Sequence, residues 1–207
     1  MMEIEKWLND VLEKKNKRAM PIITFPAATK LNISVKKLIN DTDQQVAALK
    51  IIKEECNPLA ILGFMDLSVE AECFGAEIKV TDNEVPTVVG QLIEDEDDAQ
   101  ALKVPAVGSG RSQLYIDAIK KTKAEIKDIP ILGGCIGPFS LAGRLMDVSE
   151  AMINCYEEPE MVHIVLEKAT KFLIDYISAY KEAGADGILM AEPLAGVLSP
   201  VLATEFS

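Results

Sequence analysis

The chain has 207 residues, of which 33 are acidic and 21 are basic, so its formal net charge at pH 7 is −12. Hydrophobic residues make up 49% and charged residues 26%, a balance typical of a folded domain and not of a disordered chain. So acidic a surface repels phosphate backbones and anionic lipid headgroups, which argues against nucleic acid or a membrane surface as the main partner. The apolar runs, such as residues 129–136, are far shorter than the ~20 residues of a membrane span, and residues 1–18 lack the pattern of a secretory signal. We therefore expect a cytoplasmic protein.

Short apolar runs alternate with long amphipathic stretches, a pattern typical of βα units around a parallel sheet. Strands are predicted at residues 21–25, 59–64, 131–136 and 186–191, and helices at residues 41–56, about 113–126 and about 160–182. Residues 77–85 alternate like a small hairpin or edge strand. The acidic run at residues 94–98 is interpreted as a solvated helix start, because carboxylates favour a helix N-terminus. A calcium loop is not expected, because the run lacks the spacing of such loops.

Four βα units in uninterrupted order predict an α/β fold of the TIM (β/α)₈ barrel type, which typically needs ~250 residues. Residues 1–207 are accordingly expected to form a single domain, about the N-terminal half of such a barrel, in a chain truncated after the fourth strand. A small four-stranded sheet between helices remains the alternative architecture.

The cysteines and the histidine do not form a metal-binding pattern. Cys56, Cys73, Cys135 and Cys155 are widely spaced, without a Cys-x-x-Cys pair. We expect reduced thiols, with Cys135 as a small core residue of a strand. His163 lies in a predicted helix, where a structural role is expected.

Carboxylates follow two of the four predicted strands. In a barrel the active site is built where the strands end, so the side chains just beyond each apolar run are candidates for chemistry. Asp66 follows the second strand and Glu192 the fourth, and we predict both as catalytic residues because a rigid, partly desolvated carboxylate suits proton transfer. Asp66 is expected to face the substrate and not the packed interior. For either residue alone, capping of a turn or helix is the simpler explanation.

Three sets of motifs carry a family resemblance. They are Gly63-Phe64-Met65-Asp66 followed by Val69-Glu70-Ala71-Glu72-Cys73-Phe74-Gly75-Ala76-Glu77, then Gly134-Cys135-Ile136-Gly137-Pro138-Phe139-Ser140-Leu141-Ala142-Gly143, then Glu182-Ala183-Gly184-Ala185-Asp186-Gly187 running into Ala191-Glu192-Pro193. In this order and spacing, the chain resembles the uroporphyrinogen decarboxylase superfamily. Within it, the motifs are most similar to the corrinoid-dependent branch, the methylcobamide:coenzyme M methyltransferases. The resemblance covers nearly the whole chain and implies a TIM barrel.

The segment after the first predicted strand separates the two activities of this superfamily. The resemblance implies that a decarboxylase carries an Arg-Gln-Ala-Gly-Arg-like segment there, because guanidinium groups pair bidentately with the carboxylates of a porphyrinogen. This chain has Pro26-Ala27-Ala28-Thr29-Lys30, in which Lys30 is a single flexible charge. Asp66 matches the position of the decarboxylase's strand-two aspartate, so that activity stays as the alternative. Methyl transfer is the preferred prediction.

The resemblance also implies cofactors and partners. In this branch zinc activates a small thiol, such as coenzyme M, for attack on the methyl group of a methylcobamide that a separate corrinoid protein carries. The family's zinc ligands, a His-x-Cys pair and a distant Cys, are expected outside this chain. No metal ligand is therefore assigned here, and the fragment by itself is expected to be inactive. The methyl donor, the thiol acceptor and a non-catalytic binding role all stay open.

The part of the protein present here is expected to supply a wall of the pocket. Glu70 is predicted as a polar substrate-binding group. Gly137, Pro138 and Phe139 are predicted to let the corrinoid or the thiol approach closely. Arg144 is predicted to anchor an anionic substrate tail such as a sulfonate, with a surface ion pair to a nearby carboxylate as the alternative.

Overall fold

The computed structural model describes residues 4–23 and 25–207. Its helices are α1 (Ile4–Glu13), α2 (Ala27–Leu31), α3 (Val35–Ile39), α4 (Thr42–Cys56), α5 (Val69–Phe74), α6 (Glu96–Ala101), α7 (Ser112–Glu125), α8 (Pro138–Met146), α9 (Val148–Glu157), α10 (Pro159–Glu182) and α11 (Pro200–Phe206), with a 3₁₀ turn at Ala195–Val197. Its strands are β1 (Ile61–Leu62), β2 (Glu77–Lys79), β3 (Thr87–Val89), β4 (Ile131–Ile136) and β5 (Gly187–Ala191). No helix of these two ranges is both long enough and apolar enough to cross a bilayer.

A parallel sheet in the order β1-β4-β5 is the centre of the fold, and helices connect its strands. Ile61 pairs with Ile131, and Cys135 pairs with Met190. This confirms the α/β class and three of the predicted strands, although β1 is shorter than expected. Of the two alternatives predicted for residues 77–85, the structure shows a hairpin, but it extends beyond that range: β2 is antiparallel to β3, which lies at residues 87–89.

The prediction of a first strand is wrong where the structure describes it. Residues 21–23 and Phe25 are not in a strand, and Thr24 lies outside the described residues. Prolines flank the run and cannot donate to a ladder. No described strand pairs with these residues, and Ile22 is 55% exposed. Packing, and not strand pairing, explains the apolar side chain at Phe25, whose ring packs edge-on against Phe64 with centroids 5.9 Å apart.

The long helices lie within one residue of their predicted bounds. The carboxylate of Asp41 caps α4 by accepting hydrogen bonds from the N–H groups of Asp43 and Gln44 at 3.0 and 3.1 Å. α10 begins at Pro159, whose fixed φ suits the first turn. Its apolar face is buried and comprises Val162, Val165, Ala169, Phe172, Tyr176 and Tyr180.

β4 is buried along its whole length and lies between the other two parallel strands. Gly133 is required there because a Cβ would lie 2.8 Å from the ring of Tyr180, so the glycine lets α10 pack closely. Cys135 is 1% exposed, as predicted for a core residue. The carboxyl ends of the three parallel strands meet at one edge of the sheet, which we call the C-terminal edge.

Candidate functional site

The three predicted site carboxylates lie at or just beneath the C-terminal edge. Asp66 follows β1, Glu70 lies in the first turn of α5, and Glu192 follows β5 directly. Each accepts hydrogen bonds from a different set of donors, so the three carboxylates have different chemical properties.

The carboxylate of Asp66 is buried in an ion pair. It accepts hydrogen bonds from the guanidinium of Arg111, from Tyr115 Oη at 2.8 Å, and from the Ser68 hydroxyl at 2.6 Å and backbone N–H at 3.1 Å. The Asp66 side chain is 0% exposed. The expectation that Asp66 faces the substrate is therefore wrong in this structure, because a buried cation and two hydroxyls hold it in the interior.

Arg111 is fully engaged by its neighbours. Besides Asp66, its Nε donates to Glu72 at 2.6 Å and its Nη2 donates to Ser68 at 2.9 Å. Breaking a buried pair of this kind by removing one partner typically costs about 3–5 kcal/mol. Burial and the negative charge of Asp66 raise the pKa of Tyr115 well above its usual value, so this phenol stays a proton donor to Asp66.

Glu70 is buried beneath the C-terminal edge, where it touches the end of β4. Its Oε1 accepts a hydrogen bond from the backbone N–H of Ile136 at 3.0 Å. Its Oε2 has no hydrogen-bond partner among the described residues. Glu70 is one of the residues that line a void too narrow for a water molecule. Burial, reinforced by the charge of Asp66, raises the pKa of Glu70 from 4.5 to about 7. Near neutral pH this carboxyl is therefore partly protonated.

Glu192 binds the N-terminus of α8. Its carboxylate accepts hydrogen bonds from the N–H of Phe139 at 3.0 Å, from the N–H of Ser140 at 2.6 Å and from the Ser140 hydroxyl. A carboxylate is favoured at this position because the first N–H groups of a helix lack partners within it. Glu192 is half-buried, so it reaches the surface at the C-terminal edge.

The segment predicted to allow close approach lies under Glu192. A Cβ at Gly137 would collide with the Glu192 carboxylate, so the space that the glycine leaves is filled by this protein's own side chain. Phe139 is 0% exposed and belongs to the core, so its ring does not line an open surface. Pro138 is half-buried at the first position of α8. Its place there is explained by helix geometry.

Arg144 lies in the last turn of α8 and, unlike Arg111, has no carboxylate partner among the described residues. The structure gives its guanidinium no ion pair or hydrogen bond with any residue of 4–23 or 25–207. The carboxylate of Asp147, the nearest in sequence, instead accepts a hydrogen bond from Ser149 N–H at 2.8 Å and caps α9. Arg144 is half-buried and lines a cavity of about 230 Å³. The alternative of a surface ion pair is therefore not what the structure shows.

The surroundings of Cys135 and His163 indicate structural roles for both side chains. Burial, and then the charges of Glu70 and Glu192, raise the pKa of Cys135 to about 12, so its thiol is not a nucleophile at neutral pH. His163 stacks on Phe206 with centroids 4.7 Å apart, in agreement with its predicted structural role.

The described part of the chain does not fit a zinc site. No three His, Cys, Asp or Glu side chains within residues 4–23 and 25–207 are grouped so that they could hold a metal ion. Of the carboxylates at the C-terminal edge, Asp66 is bound to Arg111, Glu192 to the N-terminus of α8, and Glu70 to the backbone N–H of Ile136. Lys30, the one cation of residues 26–30, pairs with Glu55 at 3.1 Å on the surface.

Sequence reasoning missed Arg111, Tyr115 and Ser140. The signal for Arg111 was the Gly108-Ser109-Gly110 segment before it, because both glycines adopt positive φ (98° and 52°) and mark an ordered turn. No local pattern distinguishes Ser140, whose partner Glu192 is more than 50 residues away in sequence.

Comparison with known proteins places this geometry in a family. The family model described as Uroporphyrinogen decarboxylase (URO-D) matches residues 16–207. The methylcobamide:CoM methyltransferase MtbA of Methanosarcina acetivorans is 35% identical over 133 residues, which is 63% of this chain and 39% of the relative. The uroporphyrinogen decarboxylase of Coxiella burnetii is 29% identical over 157 residues, which is 72% of this chain and 42% of the relative.

A solved methyltransferase from Methanosarcina mazei has a similar fold. Its TM-score is 0.86 at 24% sequence identity, and the match covers 100% of this chain and 64% of that protein. At this identity the match establishes the fold alone. The chain spans about two fifths of the length of the curated relatives named above.

Proposed function

This chain belongs to the uroporphyrinogen decarboxylase family, and from that premise we propose that it is part of a methyltransferase that moves a methyl group from a methylated corrinoid protein to a small thiol. We also propose that residues 1–207 form one domain and that the β1-β4-β5 sheet is part of the N-terminal half of a (β/α)₈ barrel. The reaction joins the thiol sulfur to the methyl carbon. The carbon–cobalt bond breaks and leaves its electron pair on cobalt, and the thiol proton is released.

The shortage of unpaired cations at residues 26–30 favours methyl transfer over porphyrinogen decarboxylation. A porphyrinogen decarboxylase must pair several substrate carboxylates with cations. The segment at residues 26–30 offers only Lys30, and that side chain is 59% exposed and paired with Glu55. Arg111 cannot take its place because Asp66 and Glu72 already hold it. The described residues therefore favour a substrate with little negative charge over one with many carboxylates.

The described side chains have distinct roles in this proposal. We propose that Glu192, half-buried at the C-terminal edge, and Arg144 face the reacting molecules. Asp66 and Glu70 lie beneath that edge, and they act by fixing Arg111 and the end of β4. The described residues do not fit a zinc site, so no step through zinc is derived from them.

The test uses the gene product at its full length. Methyl transfer is followed by the visible spectrum of a methylated corrinoid in the presence of a thiol, and decarboxylation of uroporphyrinogen is followed in parallel. We expect thiol-dependent demethylation of the corrinoid and no decarboxylated tetrapyrrole. Formation of coproporphyrinogen at a useful rate would overturn the choice. Loss of neither substrate would favour the non-catalytic role.

A further inference from the structure

The segment after β5, residues 192–198, packs against one side of α8, and we call it the β5–α11 loop. Small residues recur on that side of the helix and its N-cap at every third position, namely Gly137, Ser140 and Gly143. A Cβ at Gly143 would collide with the side chain of Leu194, so the glycine lets the loop lie close to the helix. The position of the loop is therefore set by α8 as well as by β5.

Glu192, the first residue of the loop, takes the place of a missing N-cap side chain. A side chain at the N-cap usually accepts a hydrogen bond from the N–H of the second or third helical residue. Gly137 has no side chain that could do so, and the Glu192 carboxylate accepts these bonds from Phe139 and Ser140 instead. Both N–H groups belong to the first turn of a helix, so they hold the carboxylate in one place.

The hydroxyl of Ser140 joins this carboxylate to the backbone of the loop. It donates a hydrogen bond to Oε1 of Glu192 and accepts one from the N–H of Leu194 at 3.1 Å. Pro193 has no N–H, so Leu194 carries the first amide after Glu192. Ser140 is 1% exposed, which keeps solvent from competing for these bonds. One buried hydroxyl therefore fixes both the carboxylate and the loop to α8.

The donors on α8 occupy the two oxygens of the Glu192 carboxylate unequally. Oε1 accepts from both the N–H and the hydroxyl of Ser140, whereas Oε2 accepts only from the N–H of Phe139. An ionised carboxylate has about four acceptor positions, two on each oxygen. With respect to the described residues, the unused position of this carboxylate therefore lies on Oε2.

We propose that Ser140 is a positioning residue, which saturates Oε1 of Glu192 and holds the β5–α11 loop so that Oε2 is the oxygen offered to a hydrogen-bond donor of the reacting molecules. The inference rests on the proposed function in one respect, which is that Glu192 faces those molecules. Ser140 is buried and acts only through its two partners. Removing its hydroxyl frees a position on Oε1 and leaves the N–H of Leu194 without its acceptor.

The substitution Ser140→Ala is tested in the full-length gene product by hydrogen exchange and by methyl-transfer kinetics. Mass spectrometry of peptides that span residues 188–198 follows the amide of Leu194, which we expect to exchange about fivefold faster, as for the loss of one neutral hydrogen bond. The kcat of methyl transfer should fall by about tenfold while KM for the thiol changes less, because a displaced carboxylate weakens binding of the transition state. Ser140→Thr keeps the hydroxyl and should restore both quantities.

The control is Ser112→Ala, at the start of α7. Ser112 is 0% exposed, and its hydroxyl likewise accepts a hydrogen bond from one backbone group, the N–H of Gly108, and donates to another, the carbonyl of Ser109. The control therefore removes an equally buried hydroxyl that has no bond to the β5–α11 loop. It should lower the free energy of unfolding and leave both the exchange of Leu194 and kcat unchanged.

Several outcomes would overturn the proposal. They are unchanged exchange of Leu194 in Ser140→Ala, faster exchange with an unchanged kcat, and equal effects in Ser112→Ala, which would mean that both variants act through stability alone. If Ser140→Ala does not fold, the wild type still decides, because a Leu194 amide that exchanges as fast as in an unstructured peptide rejects the hydrogen bond. Faster exchange in Ser140→Ala together with no methyl transfer by the wild type would reject the proposed function and leave the link between Ser140 and the loop standing.

Discussion

The buried carboxyl of Glu70 makes the stability of this protein depend on pH in a direction opposite to that of a salt-bridged acid. Its pKa rises from 4.5 to about 7 because burial disfavours the charged form. Between these two pH values the folded state holds a proton that the unfolded state has released. The stabilisation from this proton is complete below pH 4.5, declines as pH rises, and is lost above about pH 7.

The magnitude follows from the change in pKa. A rise from 4.5 to about 7 corresponds to about 3 kcal/mol of unfolding free energy between a pH well below 4.5 and a pH well above 7. The Glu70→Gln substitution removes the titration and keeps an oxygen that can accept the hydrogen bond from Ile136 N–H. The second position of the amide borders the narrow void, so the substitution has a cost there that is the same at every pH. The difference between pH values is therefore the informative quantity.

The assay is urea unfolding of the full-length product at pH 5 and pH 8. We expect the wild type to lose about 2.5 kcal/mol more stability than Glu70→Gln between these pH values, because a small part of the effect falls below pH 5 and above pH 8. Glu77→Gln, on the exposed side of β2, is the control and should follow the wild type. Identical pH profiles for wild type and Glu70→Gln would refute the reasoning, since they would mean that Glu70 is ionised in the folded state.

Element positions could be predicted from sequence where the pattern is local. α4 and α10 have caps and apolar faces within their own residues, and β4 is a continuous apolar run with two glycines. The run at residues 21–25 looks equally apolar, but a strand exists only if a neighbour completes its hydrogen bonds. Whether such a neighbour exists is a property of the tertiary structure, which the local pattern does not contain.

The sequence predicts the position of the candidate site, but not the burial or the hydrogen-bond partners of its side chains. Its position at the C-terminal edge followed from the general rule for parallel sheets, and Asp66, Glu70 and Glu192 do lie there. Their states depend on partners far away in sequence: Arg111 is 45 residues from Asp66, and Ile136 is 66 residues from Glu70. A sequence shows a carboxylate and a strand end, but not which donors reach it. For this reason Asp66 was predicted to be accessible and is instead buried.

Two further experiments test how the C-terminal edge is built. Cys135 should not react with a thiol reagent in the folded protein at pH 8, because burial raises its pKa to about 12 and it is 1% exposed. The exposed Cys56 should react, and mass spectrometry of the labelled protein identifies which cysteine is modified. Labelling of Cys135 before Cys56 would contradict the burial of β4. Asp66→Asn should destabilise the protein by about 3 kcal/mol, since it removes the charge that balances Arg111 in a buried pair. The double variant Asp66→Asn with Arg111→Met removes both charges, so its loss of unfolding free energy should be smaller than the sum of the losses in the two single variants. A double-mutant cycle measured by urea unfolding gives the interaction free energy between the two side chains. Additive losses would mean that the two side chains do not interact. An Asp66→Asn variant that keeps its stability but has reduced methyl transfer would mean that Asp66 acts on the substrate, as the sequence predicted.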